Sequence, residues 1–223
     1  MTPSERWLSA AWPFVKSCLP AAPARVVDVG CGPHGGFVPM LRADGYDAVG
    51  IDPNAPDEPP YQRVEFEQVE LPYKVDAFVA STSLHHVLDP AHVIDQMTSA
   101  LSSGGVVVVV EWAWETFDTE TARWCFERLS PDGESGWLQR RREEWLASDQ
   151  EWPTFLQAWA EGHGLHPGEK VVRLLDQRLE RRHLAHGPYF FPNLADTTEA
   201  DEQAAIDAGE IRAVRIDYAG TAQ

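Results

Sequence analysis

Val26-Val27-Asp28-Val29-Gly30-Cys31-Gly32-Pro33-His34-Gly35 is the stretch from which the rest of the chain can be read. A β-branched run over residues 25–29 ends in a turn built on glycines. Such a turn lets backbone approach a ligand where a Cβ would block it or forbid the dihedrals. About twenty residues on, Asp52 closes the next apolar run. A carboxylate there accepts both hydroxyls of a ribose. Asp28 sits inside the first strand, and a buried carboxylate costs several kcal/mol unless paired. Its expected partner is a fixed donor: the ammonium of a bound amino acid, or backbone N–H groups of the turn.

Working outward, strand and helix alternate. Helices are expected over residues 36–43 and 90–101, and strands over 47–51, 62–67, 77–80 and 106–110. The run 106–110 is apolar on every residue, as a central parallel strand covered on both faces must be. Residues 53–60, with prolines at 53, 56, 59 and 60, read as a loop. Glu58-Pro59-Pro60-Tyr61 belongs to that rigid loop. Upstream, Thr2-Pro3-Ser4-Glu5 opens a helix that Pro13 kinks or ends. Downstream, helices are expected over 119–129, 135–147, 152–162 and 199–208, with strands at 171–175 and 213–218.

The chain has 223 residues, enough for one domain with a sizeable core. It carries 35 Asp and Glu against 18 Lys and Arg, a formal charge of -17. That surface repels phosphate backbones and argues against nucleic acid as a partner. No apolar run is long enough to span a bilayer, so no membrane association is expected. Three scattered cysteines form neither a disulfide framework nor a zinc site, which suits a reducing cytoplasm; no metal is expected.

Gly30-x-Gly32-x-x-Gly35 also satisfies the dinucleotide fingerprint, so an NAD(P)-dependent oxidoreductase stands as an alternative. Pro33 speaks against it, because it lacks an N–H that a pyrophosphate cradle would use.

These residues resemble motif I of the class I S-adenosylmethionine-dependent methyltransferases, and the resemblance continues down the chain. Asp52 looks like that family's ribose acid. Glu67-Gln68-Val69-Glu70-Leu71-Pro72-Tyr73 is similar to its segment after the third strand, where an acid and the next N–H meet adenine. Val75-Asp76-Ala77-Phe78-Val79-Ala80-Ser81, with Leu84-His85-His86-Val87, is similar to its fourth strand and following turn. Leu101-Ser102-Ser103-Gly104-Gly105 before the fifth strand also fits. The match covers residues 25–111, with a looser fit to the last two strands. The proline-rich loop replaces the helix usual between the second and third strands.

The resemblance implies an α/β fold: a Rossmann-like open, mostly parallel seven-stranded sheet with helices on both faces. Residues 112–150 break the rhythm and are read as a helical cover inserted between strands five and six. A single domain over 1–223 is expected, with a helical segment at 1–24, a cofactor half at 25–111, the cover, and a last part at 151–223. The implied cofactor is S-adenosyl-L-methionine, held by Asp28, Gly30, Cys31, Gly32, Asp52, Pro53, Glu67, Gln68 and Ser81. Methyl transfer to a small molecule needs mainly alignment, and a base only for a protonated acceptor. His85, His86 and Glu111 are the candidate catalytic groups. Trp112, Trp114 and Tyr189 are the candidate acceptor pocket, with a buried satellite core as the competing reading of the tryptophans. Oxygen, nitrogen and carbon all stay open as the accepting atom. A monomer or small homo-oligomer is expected, and a non-catalytic S-adenosylmethionine-binding protein is the third reading.

Overall fold

A computed structural model of the chain describes residues 1–130 and 136–222. Its centre is a seven-stranded sheet in the order β3-β2-β1-β4-β5-β7-β6. The strands are β1 (Arg25–Val29), β2 (Asp47–Ile51), β3 (Tyr61–Gln62), β4 (Val75–Ser81), β5 (Leu101–Trp112), β6 (Leu179–Gly187) and β7 (Arg215–Ala222). The strands β1 to β5 pair in parallel, and β7 runs antiparallel between β5 and β6.

Alternation along the strands sends side chains to two separate cores, as the period of two requires. Val27, Val29, Val107 and Val109 face one side, under α3 (Pro90–Ala100) and α7 (Gly168–Asp176). Val26, Val106, Val108 and Val110 face the other, under α1 (Pro3–Cys18) and α2 (Val38–Ala43). The helix α1 begins with the expected Thr2–Glu5 capping box and runs on through Pro13, with Ala11 and Val15 buried. Tertiary packing there outweighs the hydrogen bond a proline removes.

Between β5 and β6 the chain also forms α4 (Thr119–Phe126), α5 (Trp137–Ala147) and α6 (Trp152–Gly162). The expected start of a helix at residue 135 lies outside the described residues. These helices enclose a third core around Trp114, Phe117, Cys125, Leu138 and Trp152. The last helix, α8 (Glu199–Asp207), precedes β7.

Two expected strands are corrected. Residues 171–175 are not a strand but lie within α7. The β-branched pair Val171-Val172 favours a strand locally, yet Val171 and Leu175 share one helical face and are buried. The helix start is capped from afar: the Glu115 carboxylate accepts from Gly168 N at 2.9 Å and Glu169 N at 2.8 Å. The sixth strand is instead Leu179–Gly187, an edge strand whose interior is largely exposed. The third strand is only Tyr61–Gln62, followed by a 3-10 turn at Phe66–Gln68. Phe66 leaves the strand course to pack edge-on against Phe78, ring centres 5.9 Å apart.

Candidate active site

The strands β1, β2 and β4 end abreast, with Val29 opposite both Ile51 and Ala80. Beyond their carboxyl ends opens a cleft of about 450 Å³. Ligands of open α/β sheets bind at this position. Of the expected cofactor residues, Asp28, Gly30, Cys31, Gly32, Asp52, Pro53, Glu67 and Ser81 line it. Gln68 does not, which corrects its expected role. Its N–H donates to Glu65 O at 3.0 Å within the 3-10 turn.

The turn after β1 is shaped by what glycine omits. Gly30 has φ +77°, and a Cβ on it would stand 2.2 Å from Ser83 Cβ. Gly32 has φ +67° and, among the described residues, no atom beyond its own chain neighbours within 4 Å of where a Cβ would be, so it faces open space. Gly36, which the fingerprint does not include, matters as much. A Cβ there would stand 2.4 Å from Asp28 Oδ2. Its absence lets that oxygen accept from Phe37 N at 2.7 Å. Asp28 therefore finds a backbone donor, one of its two expected kinds of partner. Burial still raises its pKa to about 7, against the opposing Phe37 hydrogen bond.

Asp52 is half-buried at the tip of β2. Its Oδ1 accepts from Asn54 N at 2.6 Å; among the described residues no hydrogen bond engages Oδ2. The cleft lining contains four carboxylates, Asp28, Asp52, Glu65 and Glu67, and among the described residues no Lys or Arg. These acceptors suit a ligand carrying positive charge and repel a pyrophosphate.

A second cavity of about 290 Å³ adjoins the first, and Thr82 and His86 line both. Thr82 holds φ +50°, an outlier for a β-branched residue, at the junction of the two. Trp112, Tyr189 and His85 line the second cavity, together with Trp137, Trp159, Arg140 and Arg141. Trp114 lines neither and is buried in the third core, so the tryptophans divide between wall and core.

Glu111, expected to face the cleft, is corrected in position. It is 1% exposed and stands behind His85, with Oε1 2.5 Å from His85 Nδ1 and 2.7 Å from Trp112 N. The contact makes His85 Nδ1 the donor and orients the ring. The His86 ring lies 4.0 Å from that of His85, centre to centre. Burial, then the neighbouring His85, lowers the His86 pKa to about 4, so the ring is neutral at pH 7.

Other wall residues gave no signal in the sequence. Ser4, Trp7 and Leu8 of α1 line the main cleft, although they precede β1. Trp7 Nε1 donates to Ser81 Oγ at 3.1 Å, and its ring meets Tyr189 edge-on at 4.9 Å. Arg6 fastens the helix by donating to Pro192 O at 3.2 Å and Thr197 O at 2.7 Å. The Glu202 carboxylate, fully buried, accepts from the N–H groups of Tyr189, Phe190 and Phe191 at 2.7, 3.1 and 2.6 Å.

A family model described as a methyltransferase domain matches residues 6–166. No curated protein sequence matches the chain. Among solved structures, an S-adenosylmethionine-dependent methyltransferase from Mesorhizobium loti is similar at 21% identity. The match covers 96% of this chain and 99% of that one, with a TM-score of 0.57. The N-methyltransferase NodS from Bradyrhizobium japonicum WM9, in complex with S-adenosyl-L-homocysteine, is similar at 13% identity, covering 99% and 88%, TM-score 0.55. A geranyl diphosphate C-methyltransferase from Streptomyces coelicolor A3(2) is similar at 16% identity, covering 98% and 82%, TM-score 0.56.

Proposed function

Because the chain belongs to the family of S-adenosylmethionine-dependent methyltransferases, we propose that it methylates a small-molecule acceptor seated in the cavity beside His86. Nothing favours the nicotinamide reading over this one. The observation that carries the proposal is the charge of the main cleft: four carboxylates and, among the described residues, no Lys or Arg. That lining suits a sulfonium and an ammonium. On this reading Asp28 receives the ammonium, the Gly30–Gly32 backbone lies along the amino-acid part, Asp52 holds the ribose through Oδ2, and Glu67 lies on the adenine side. Residues 25–111 form the cofactor half, residues 112–150 the cover inserted over the acceptor, and the three free thiols suit a cytoplasmic protein.

When bound, S-adenosylmethionine supplies an activated methyl carbon, whose bond to sulfur breaks with the electron pair left on sulfur as the acceptor attacks. The protein contributes alignment and exclusion of water. Thr82 and His86 wall the junction between the two cavities. His86, neutral at pH 7, accepts a hydrogen bond from the acceptor's O–H or N–H and orients it; with a pKa of about 4 the ring does not keep the proton that the acceptor loses, which passes to solvent.

The test is calorimetric titration with S-adenosylhomocysteine. One molecule is expected to bind per chain, and Asp52→Ala to weaken it at least tenfold, about 1.4 kcal/mol. Absence of binding to the unaltered chain, or full affinity in the Asp52→Ala protein, overturns the placement.

A pH dependence follows from Asp28. With its pKa raised to about 7, the group is largely protonated below that pH and must lose the proton to pair with an ammonium. Affinity is therefore expected to fall roughly tenfold per pH unit on going below about 7, and Asp28→Asn to flatten the curve. Stability of the ligand-free protein moves the other way. A raised carboxyl contributes most below its unfolded value, and that contribution is lost as pH rises through about 7. The difference in melting temperature between the unaltered chain and Asp28→Asn should then shrink or change sign between pH 5 and pH 8; a constant difference contradicts it.

A further inference from the structure

We propose that His85, held by Glu111, is the base of the methyl transfer, and that the acceptor is a flat ring bearing two neighbouring hydroxyls. The inference rests on the methyltransferase reading above and deepens it: His85 carries the proton that the acceptor gives up on its way to solvent.

His85 and Glu111 are both buried, 3% and 1% exposed. Glu111 Oε1 lies 2.5 Å from His85 Nδ1 and accepts from Trp112 N at 2.7 Å, while Oε2 accepts from His85 N at 3.2 Å. His166 N donates to His85 O at 2.9 Å, so the backbone of His85 is tied on both sides. Its ring packs edge-on against Trp112, with ring centres 5.9 Å apart. With Nδ1 donating to Glu111, Nε2 holds the lone pair, and among the described residues no hydrogen bond engages it. A carboxylate placed behind an imidazole fixes its tautomer and stabilises the imidazolium that forms when Nε2 takes a proton.

Position agrees with that role. His85 lines the second cavity and not the main cleft, whereas His86 lines both. In a direct displacement the proton to be removed sits on the attacking atom, on the side away from the leaving sulfur. The other titratable and charged groups lining the second cavity are His86, Tyr189, Arg140 and Arg141. Burial, then the Glu111 charge, raises the pKa of Tyr189, and burial lowers that of His86 to about 4. Arg141 is paired with Glu144, and arginines keep their protons. His85 is the one lining group whose ring nitrogen is backed by a carboxylate, among the described residues.

A built base points to the accepting atom. A ring amine attacks through a lone pair that is already free, whereas a ring hydroxyl, with a pKa of about 10, keeps its proton at pH 7. As the hydroxyl oxygen bonds to the methyl carbon and the carbon–sulfur pair stays on sulfur, the O–H proton moves to Nε2 and its electron pair stays on oxygen. A hydroxyl has one hydrogen, and that one goes to His85. His86, its ring centre 4.0 Å from that of His85, therefore takes its hydrogen bond from a neighbouring hydroxyl. Trp112, Trp137, Trp159 and Tyr189 give the cavity flat walls, and about 290 Å³ suits one or two rings.

The experiment uses the full chain saturated with S-adenosylhomocysteine, titrated with 4-nitrocatechol and separately with 4-nitrophenol, which lacks the second hydroxyl. Both probes change absorption when they lose a proton, so binding and proton transfer are read together, at a pH below the probes' own pKa values. 4-Nitrocatechol is expected to bind at least tenfold more tightly than 4-nitrophenol and to show the anion band when bound. His85→Gln is expected to abolish that band with S-adenosylhomocysteine affinity unchanged. Glu111→Gln, which keeps an acceptor and removes the charge, is expected to bind the probe within a few-fold and yet lose most of the band, a change that a merely structural role would not produce. A bound probe that stays neutral in the unaltered chain, or a band that survives in His85→Gln, overturns the base. A band that survives in Glu111→Gln overturns the part given to Glu111. Equal affinity for the two probes, or no binding of either at millimolar concentration, overturns the acceptor class. If the variants do not fold, the spectra and the comparison of probes on the unaltered chain decide by themselves. Failure of S-adenosylhomocysteine to bind in the first step strikes at the methyltransferase reading instead, so the two failures are told apart.

Discussion

Gly30→Ala is expected to weaken S-adenosylhomocysteine at least a hundredfold and to lower stability by about 3 kcal/mol. Two costs combine. A φ of +77° strains any residue with a Cβ by about 1–2 kcal/mol. The added carbon would also stand 2.2 Å from Ser83 Cβ, in a place with no slack. Ser83 Oγ donates to Val29 O at 2.8 Å, and Gly30 N donates to Ile51 O at 2.8 Å, so both sides of the clash are tied to the sheet. Overpacking of that kind adds about 1–3 kcal/mol. The second variant that separates the causes is Gly30→Ala/Ser83→Gly. It removes the overlap and leaves the strained dihedral, so part of the stability should return. Gly32→Ala is the contrast: it has the strain of φ +67° but no atom to strike, so its main effect should be on ligand affinity. Urea unfolding and calorimetry on the three proteins check this. Near-normal stability and binding in Gly30→Ala would contradict the account.

Glu202→Ala is expected to cost about 3–5 kcal/mol, the largest loss of stability for a single side chain outside the main cores. The carboxylate is fully buried and receives three successive backbone N–H groups, those of Tyr189, Phe190 and Phe191. Removing it strands all three donors at about 1–3 kcal/mol each, less what the loop recovers by relaxing. Burial raises the pKa of this carboxyl, against the three hydrogen bonds, which oppose the shift. Tyr189 is the residue that the loop presents to both Trp7 and Trp112. The variant should therefore also lose near-ultraviolet circular dichroism from the aromatic wall. Glu202→Gln keeps one acceptor and should fall between the two. A stability loss below 1 kcal/mol in Glu202→Ala would show that the loop stands without it.

The parts of the site that were legible in the sequence are those where chemistry and position coincide within a few residues. Asp28, Gly30, Gly32 and Asp52 lie at strand ends, where the turn that follows a strand dictates both direction and residue type. Gln68 and Glu111 were misplaced for a common reason. Each is near the site in the chain, but a local hydrogen bond turns its donor or acceptor elsewhere: Gln68 N to Glu65 O, and the Glu111 carboxylate to His85 and Trp112. Residues 171–175 misled because a β-branched pair reads as strand until its helical neighbours and a remote cap are known. Strand β6 had no readable pattern, since an edge strand exposed along most of its length needs no alternation of apolar and polar residues.

By itself the sequence determined the α/β alternation, the parallel half of the sheet and the glycine turn with its two carboxylates. Periodicity and turn chemistry are short-range, and a few consecutive residues suffice to specify them. Only the tertiary structure decided that α1 closes over the cleft, that Gly36 makes room for Asp28, and that Glu111 stands behind His85 at the second cavity. Those relations join residues far apart in the chain. They follow from how helices dock on a finished sheet, a matter of burial and shape that no local stretch of sequence encodes.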